Sequence, residues 1–254
     1  MIEVHGQGPE YVNGSGFAEL EERASKVTEE VRAAEAAAGR PAGSVKIVAA
    51  AKYALTEELV FLRDRCWIAD FGENRAQTLR EHLAGLPDGG EGFGVHFIGG
   101  IQKNKLKYIV GNVCLIHSLD SEAAAAEIDR LAGGRGIDRV RVLVEINSGR
   151  EPGKSGVMPE DAADFCLALR RFGHIGMSGF MTMGPQGLDG DAYFDLFSET
   201  CKLALDIWTE TLHNIDEPIL SMGMSDSFAA AIAAGSNCVR IGRSLFGRST
   251  PGAK

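Results

Sequence analysis

The stretch SVKIVAAAKYALTEELVFLRDR (residues 44–65) contains the unit from which the fold can be predicted. A mostly apolar run extends from Val45 to Ala51, and a run of this length and composition is typical of a strand buried on both faces. Lys52 ends the run, and a polar segment with helical character follows at once. This order of apolar run and helical segment repeats along the chain, which indicates parallel strands covered by helices.

Eight such runs are present. They cover residues 45–52, 67–74, 95–100, 115–120, 140–147, 175–182, 219–224 and 238–243. Eight strands predict an α/β fold of the closed (β/α)8 TIM-barrel type, and a length of 254 residues suits a single barrel. The alternative is an open doubly wound sheet, which usually carries a GxGxxG turn after its first strand. No glycine follows Lys52 in this turn, so the closed barrel is favoured.

One further helix is predicted before the first strand, because apolar residues recur at helical spacing over residues 17–39. We expect a flexible N-terminus over residues 1–15 and one domain over residues 16–254. Only eleven residues follow the last strand, so a full eighth helix is not expected. The N-terminal helix could cover part of the resulting gap.

Composition excludes several classes of function. The formal net charge of -9 argues against nucleic-acid binding, and no apolar run reaches membrane-spanning length. The N-terminus lacks the basic start and apolar core of a signal peptide. The five cysteines lie far apart without a CxxC pair, which indicates free thiols in a reducing cytoplasm. The six histidines show no metal-ligand spacing, so no metal site is predicted.

The carboxyl ends of barrel strands form the active-site mouth, and Lys52 lies at such an end. Its stem could lie on apolar surface while its ammonium reaches water. Alternatively, partial desolvation could lower the pKa of Lys52, and the neutral amine could then attack a carbonyl group. The position of Lys52 favours the second interpretation.

The segment SMGMSDSFAAAIAAG (residues 221–235) predicts a short helix after the seventh strand, with Ser225 or Asp226 as its N-cap. Free N–H groups at a helix start can bind phosphate. The Asp226 carboxylate would oppose an anion there unless it points away.

The segment VRIGRSLFG (residues 239–247) follows as the eighth strand and its loop. Gly242 permits close approach of a ligand, and the N–H groups of Gly242 and Arg243 could form an anion nest. Arg240 shares one face of the strand with Gly242 and could reach the mouth. Barrels often bind phosphate with the loops after strands seven and eight, so both loops together predict a phosphate site.

A lysine facing a phosphate site fits two ligands, a phosphosugar bound by an aldolase or pyridoxal 5'-phosphate (PLP). The aldolase alternative is weaker because the strand ends carry no second lysine and no obvious acid pair. Glu73 and Asp120 are its candidates, and the role of Glu145, two residues before a strand end, stays open.

The motifs FGEN, HFIGGIQKNK, HSLD, INSGREPGKSG, GFMTM and LSMGMSDSFAAAIAAGSNCVRIG, together with Lys52, resemble the YggS/PROSC family of PLP homeostasis proteins. The resemblance covers residues 45–247. It implies the barrel of the alanine racemase N-terminal domain, which is the fold-type III PLP barrel, and PLP as the cofactor.

The resemblance also assigns residues. It implies that Lys52 forms the internal aldimine and that Arg240 faces the pyridine nitrogen. The other matched positions are Asn74 near the cofactor, Met224 with Ser225 at the phosphate, Gly242 and the Arg243 backbone at the phosphate, His96 at the barrel floor, and Lys154 without an assigned role. Many members have threonine where this chain has Arg243, so a hydroxyl contact to phosphate is lost there.

These assignments imply a monomeric cytoplasmic carrier that holds PLP and releases it to amines or PLP-dependent apo-enzymes, with little or no catalysis. An arginine at the ring nitrogen makes the ring a weaker electron sink, and the chain has no second domain to supply a catalytic tyrosine. The alternative is a small PLP-dependent amino-acid racemase that uses Lys52 with Tyr53 or His96 as a second base. A regulatory protein that contacts PLP enzymes is a third possibility.

Overall fold

The computed structural model describes residues 14–212 and 216–247. Eight parallel strands form a closed barrel in chain order, and the last strand pairs with the first. The strands are β1 (Lys46–Ala50), β2 (Asp70–Glu73), β3 (Gly94–Phe97), β4 (Leu115–Leu119), β5 (Val140–Ile146), β6 (Ile175–Thr182), β7 (Ile219–Ser221) and β8 (Cys238–Ile241). The predicted (β/α)8 barrel is therefore confirmed, and the open doubly wound sheet is wrong.

Helices cover the outside of the barrel, one before the first strand, one after the last and the others between strands. They are α1 (Gly14–Ala37), α2 (Thr56–Cys66), α3 (Ala76–Gly85), α4 (Glu122–Gly134), α5 (Ala162–Leu169), α6 (Gly190–Asp206), α7 (Phe228–Ala233) and α8 (Arg243–Phe246). The connection between β3 and β4 is instead a 3₁₀ helix, Lys103–Tyr108, in which Leu106 is the one buried side chain. A short 3₁₀ turn is enough to bury this one side chain. The helical segment predicted between these strands is therefore a 3₁₀ helix and not an α-helix. No helix in the described ranges is both long and apolar enough to cross a membrane.

The N-terminal helix α1 packs against α2, α7 and α8. Its apolar stripe is buried as predicted, with Leu20, Val27 and Val31 at 2% exposure or less. Helix α8 has only four residues, and the Arg23 Nε donates to the Leu245 carbonyl at 2.8 Å. Helix α1 thus covers the gap beside α8. Of the segment predicted as flexible, residues 1–13 lie outside the described residues, and residues 14 and 15 belong to α1.

Two cores result from this arrangement. The larger lies between the barrel and its helices, and the smaller lies inside the barrel around Leu115, Leu143 and Met181. Much of the remaining barrel interior is polar. Because buried polar groups must find partners, this interior determines how the residues beneath the mouth are held.

Candidate functional site

Lys52 lies two residues beyond β1, in a turn at the carboxyl end of the strand. The Ala54 N–H donates to the Ala51 carbonyl at 2.9 Å and closes the turn, while the Ala51 N–H donates to the Gly72 carbonyl of β2 at 2.9 Å. The Lys52 side chain is exposed, with its Nζ 4.9 Å from the centroid of the Tyr53 ring. The position at the mouth agrees with the prediction, but the partly desolvated surroundings expected for Lys52 are not formed by the described residues.

The loop after β7 forms a turn before α7, which begins at Phe228. The Met224 N–H donates to the Ser227 Oγ at 3.2 Å, and the Met224 carbonyl accepts from the N–H groups of Ser227 and Phe228. The expectation that Ser225 or Asp226 caps the helix is therefore wrong, because the turn delays the helix and places Ser227 next to it. Ser225 is free to face the neighbouring loop.

The loops after β7 and β8 meet through Ser225, whose Oγ accepts from the Ser244 N–H at 3.3 Å. The N–H groups of Gly242 and Arg243 donate to no acceptor within the described residues. A Cβ at Gly242 would lie 3.2 Å from both the Cβ and the carbonyl oxygen of Ala50, so the backbone here is close to β1. A hydroxyl and two N–H groups are thus brought together beside the strand that precedes Lys52.

The Arg243 side chain is exposed and forms an ion pair with Asp226. The Asp226 carboxylate, which we expected to oppose an anion, is therefore neutralised by its neighbour. The Arg243 backbone remains available as a donor, whereas its guanidinium is engaged at the rim.

Arg240 is buried beneath the mouth, with 4% exposure. Its Nη1 donates to the Ser221 carbonyl at 2.7 Å and to the Ser221 Oγ at 2.6 Å, and its Nη2 donates to the Thr182 carbonyl at 2.9 Å. These contacts hold the guanidinium among β6, β7 and β8. Burial lowers the pKa of Arg240 from its ordinary value, against the opposing effects of Cys238 and Glu145.

A chain of hydrogen bonds continues from Ser221 through the barrel interior. The Ser221 Oγ lies 3.0 Å from the His117 Nδ1, and the His117 Nε2 lies 2.8 Å from the His96 Nδ1. The His96 Nε2 lies 2.9 Å from the Asp70 Oδ1, which also accepts from the Lys46 Nζ at 2.8 Å. The chain connects Arg240 to the amino-terminal end of the barrel.

Two neutral imidazole rings can make every hydrogen bond of this chain. With hydrogens on both Nε2 atoms, His117 donates to His96, and His96 donates to the Asp70 carboxylate. Burial, followed by the nearby His96 and Arg240, holds the pKa of His117 well below its ordinary value. Burial alone would lower the pKa of His96 too, but the hydrogen bond to Asp70 and the nearby Cys114 raise its pKa above the ordinary value.

The loop after β2 carries Asn74, which is half-buried. A Cβ at Gly99 would lie 2.1 Å from the Asn74 carbonyl oxygen, so glycine is needed for the loops after β2 and β3 to approach. The Ser118 Oγ donates to the Gly99 carbonyl at 2.6 Å and fixes this arrangement. The Asn74 backbone is therefore held beside the mouth, and its place near the cofactor stays a prediction.

The three acidic residues near strand ends differ in their surroundings, and one of them, Asp120, accepts from the Gly156 N–H at 3.4 Å. Glu73 points away from the mouth, with its Oε1 2.7 Å from the His82 Nδ1 of α3. Glu145 is buried on the inner face of β5, and burial together with Asp120 raises its pKa to about 7, with Arg240 opposing. Lys154 is exposed and paired with Glu151 at 2.6 Å, away from the described residues of the mouth.

Sequence reasoning missed His117 and Ser221. Both occupy inward-facing positions between apolar neighbours, in LIHSL and ILS, and a polar residue at such a position signals a buried hydrogen bond.

A cavity of about 900 Å³ lies at the amino-terminal end of the barrel, lined by residues that begin strands, including Lys46, Asp70 and Cys238. The predicted site residues lie at the carboxyl end instead.

Comparisons with known proteins support one family. The sequence profile of the alanine racemase N-terminal domain matches residues 19–250. A pyridoxal phosphate homeostasis protein of Aquifex aeolicus is 35% identical over 226 residues, covering 89% of this chain and 96% of the relative. One of Deinococcus radiodurans is 38% identical over 219 residues, covering 85% of this chain and 95% of the relative.

Solved structures agree with these sequence matches. An unknown protein of Bifidobacterium adolescentis superposes with a TM-score of 0.79 at 29% identity, covering 94% of this chain and 98% of that one. PipY of Synechococcus elongatus, solved with PLP bound, gives 0.72 at 26% identity, covering 89% of this chain and 99% of PipY. An alanine racemase of Clostridium difficile gives 0.69 at 17% identity, covering 91% of this chain and 58% of that one, and shares the fold.

Proposed function

The chain belongs to the alanine racemase N-terminal domain family and, within it, to the pyridoxal phosphate homeostasis proteins, and from this premise we propose that it binds PLP for intracellular PLP homeostasis. PLP is a phosphate monoester with an aldehyde and a pyridine ring. A suitable site must therefore present an amine, an anion cradle and a group that faces the ring.

The pairing of β8 with β1 is the observation that carries this proposal. It aligns Ile241 with Ala49, so Gly242 leaves the barrel beside the strand that leads to Lys52. The anion donors and the amine then lie on neighbouring strand ends, as one small molecule requires.

The anion cradle consists of the Ser225 hydroxyl and the N–H groups of Gly242 and Arg243. Phosphate oxygens accept readily from hydroxyls and from successive backbone N–H groups. The two N–H groups have no acceptor within the described residues, and the Arg243–Asp226 ion pair removes the local negative charge. The cradle thus fits the phosphate of PLP.

When bound, PLP supplies an aldehyde that condenses with an amine into a C=N bond with loss of water. Lys52 supplies that amine at the mouth. Arg240 would face the ring nitrogen, where its charge disfavours addition of a second positive charge. Met224 and Asn74 line the sides of the same mouth.

Release rather than catalysis is the activity that these residues favour. Racemisation needs a base on each face of the substrate carbon. His96, one candidate base, is 3% exposed and engages Asp70 and His117 through its two ring nitrogens. We therefore propose a carrier with little or no catalysis, which is a cytoplasmic monomer and passes PLP to amines or to PLP-dependent apo-enzymes.

Reduction with borohydride followed by peptide mapping tests the proposal. After incubation with PLP, the wild-type protein should carry a pyridoxyl group on Lys52, and Lys154→Ala, which removes another exposed lysine, should behave identically. Lys52→Ala should lose the fixed group yet retain PLP through the cradle. Ser225→Ala should weaken retention by about 1.5–3 kcal/mol, the value of one hydrogen bond to a charged group.

A pyridoxyl group fixed elsewhere, or no retention by Lys52→Ala, would contradict the proposed site. The racemase alternative predicts exchange of the α-hydrogen of an added amino acid in heavy water at a rate that Lys52→Ala abolishes. The carrier proposal predicts no such exchange at a useful rate.

A further inference from the structure

A buried histidine lies behind the turn that carries Lys52. His82, on α3, is 5% exposed, and its Nδ1 lies 2.7 Å from the Glu73 Oε1. Its Nε2 lies 3.2 Å from the carbonyl oxygen of Ala54, two residues beyond Lys52. Both partners are acceptors, and an imidazole ring donates through both nitrogens only as the imidazolium. His82 therefore bridges the end of β2 and the Lys52 turn, and an imidazolium ring satisfies both contacts.

The surroundings of His82 stabilise its charged form. Burial alone lowers the pKa of His82, but the hydrogen bond and charge of Glu73, the Ala54 carbonyl and the charge of Glu81 together raise it above its ordinary value. His82 also lies in the last turn of α3, where the helix carries partial negative charge. The ring edge of Phe71 provides an apolar wall from β2.

Glu73 depends on this bridge in turn. It is fully buried, and its Oε2 has no hydrogen-bond partner within the described residues. A buried carboxylate with one satisfied oxygen needs a nearby cation. The His82–Glu73 pair is therefore a unit, and its outer end is the hydrogen bond to Ala54.

We propose that His82 is a positioning residue that, as an imidazolium, holds the Lys52 turn in place for reaction with PLP. This inference rests on the proposed function, because it concerns the approach of Lys52 to that ligand. When His82 loses its Nε2 proton, the remaining hydrogen stays on Nδ1, which donates to the Glu73 carboxylate, and the Nε2 lone pair faces the Ala54 carbonyl oxygen. Two lone pairs repel, so the turn is released.

The sign of the pH effect follows from the raised pKa of His82. The bridge is complete at low pH and is lost as pH rises through the pKa of His82 in the folded protein. A higher pH also supplies more neutral amine for attack on an aldehyde, which acts in the opposite direction. The rate of bond formation should therefore show an additional downward inflection that belongs to His82.

Stopped-flow absorbance of bond formation with PLP across pH tests this in His82→Gln, His82→Lys and the control His174→Gln. His82→Gln should slow bond formation about tenfold at low pH, the effect of losing one hydrogen bond to a charged group, and should lack the inflection. His82→Lys keeps a positive charge and should restore much of the rate without the inflection. In the Lys52→Ala background, His82→Gln should leave PLP affinity unchanged.

Nitrogen NMR of the PLP-free protein provides a second readout and should show both ring nitrogens of His82 protonated at pH 6. A neutral ring there, or a His82→Gln rate within twofold of His174→Gln, would overturn the inference while leaving the proposed function intact. Absence of PLP binding to wild type would instead refute the proposed function. If His82→Gln does not fold, the profiles of wild type and His82→Lys decide.

Discussion

Replacement of Glu35 by alanine should destabilise the junction between α1 and the barrel. Glu35 is fully buried and accepts from the Val45 N–H at 2.7 Å, from the Gly43 N–H at 2.9 Å and from the Arg32 Nη1 at 2.8 Å. Val45 is buried, so Glu35→Ala leaves its N–H without an acceptor, at a cost of about 1–3 kcal/mol. Gly43 is exposed, and its N–H can donate to water instead. Loss of the hydrogen bond from Gly43 to Glu35 therefore costs about 1 kcal/mol.

The expected loss for Glu35→Ala is therefore about 2–4 kcal/mol in the free energy of unfolding. Urea denaturation measures it, with Glu30→Ala, an exposed position on the same helix, as the matched control. Burial alone would raise the pKa of Glu35, but its hydrogen bonds to Arg32, Gly43 and Val45 lower the pKa below its ordinary value. The stabilisation is thus full above the unfolded-state pKa and is lost as pH falls through the folded-state pKa.

The difference between wild type and Glu35→Ala should accordingly shrink as the solution is acidified. A Glu35→Ala protein within about 0.5 kcal/mol of Glu30→Ala at neutral pH, the range of ordinary surface substitutions, would refute this reasoning.

Two further predictions concern the mouth. Gly99→Ala should lower the thermal stability of the protein and weaken PLP retention, because the new Cβ would lie 2.1 Å from the Asn74 carbonyl oxygen. The control Gly100→Ala should have little effect in the same thermal and binding assays, because its Cβ would meet nothing closer than 4.0 Å. The pKa of Glu145 is raised to about 7, so folding favours its neutral form and stability should be lost as pH rises towards 7. Glu145→Gln should then be more stable than wild type at pH 8 and equal to it at pH 4, and equal stability at both pH values would contradict the assignment.

The strand pattern was predictable because each strand is buried on both faces. The run IGMSGFMT has no continuous polar face, and helices with caps and glycine stops separate the runs. Their order along the chain then specifies a parallel barrel. Boundaries were less predictable, since β7 has three residues where the apolar run suggested six.

Local chemistry at single strand ends was also predictable. Lys52, Ser225 and Gly242 were selected because the carboxyl ends of barrel strands meet at one mouth. The turn before α7 was not foreseen, because the Ser227 hydroxyl competes with a helix start at Ser225. The exposure of Lys52 depends on how its turn leaves the barrel, which local composition does not determine.

Long-range polar contacts could not be predicted from the sequence. The His96–His117–Ser221 chain joins β3, β4 and β7, and the His82–Glu73 pair joins α3 to β2. Each pair requires a strand register and an inward or outward direction that periodicity alone does not specify. The Arg243–Asp226 ion pair likewise forms only when two loops meet.

A crystal structure of the protein soaked with PLP tests the central claim most directly. We expect continuous density from the Lys52 Nζ to the ligand, with the phosphate within hydrogen-bond distance of the Ser225 hydroxyl and the N–H groups of Gly242 and Arg243. Density for PLP at the amino-terminal end of the barrel, or a phosphate away from the loops after β7 and β8, would contradict it.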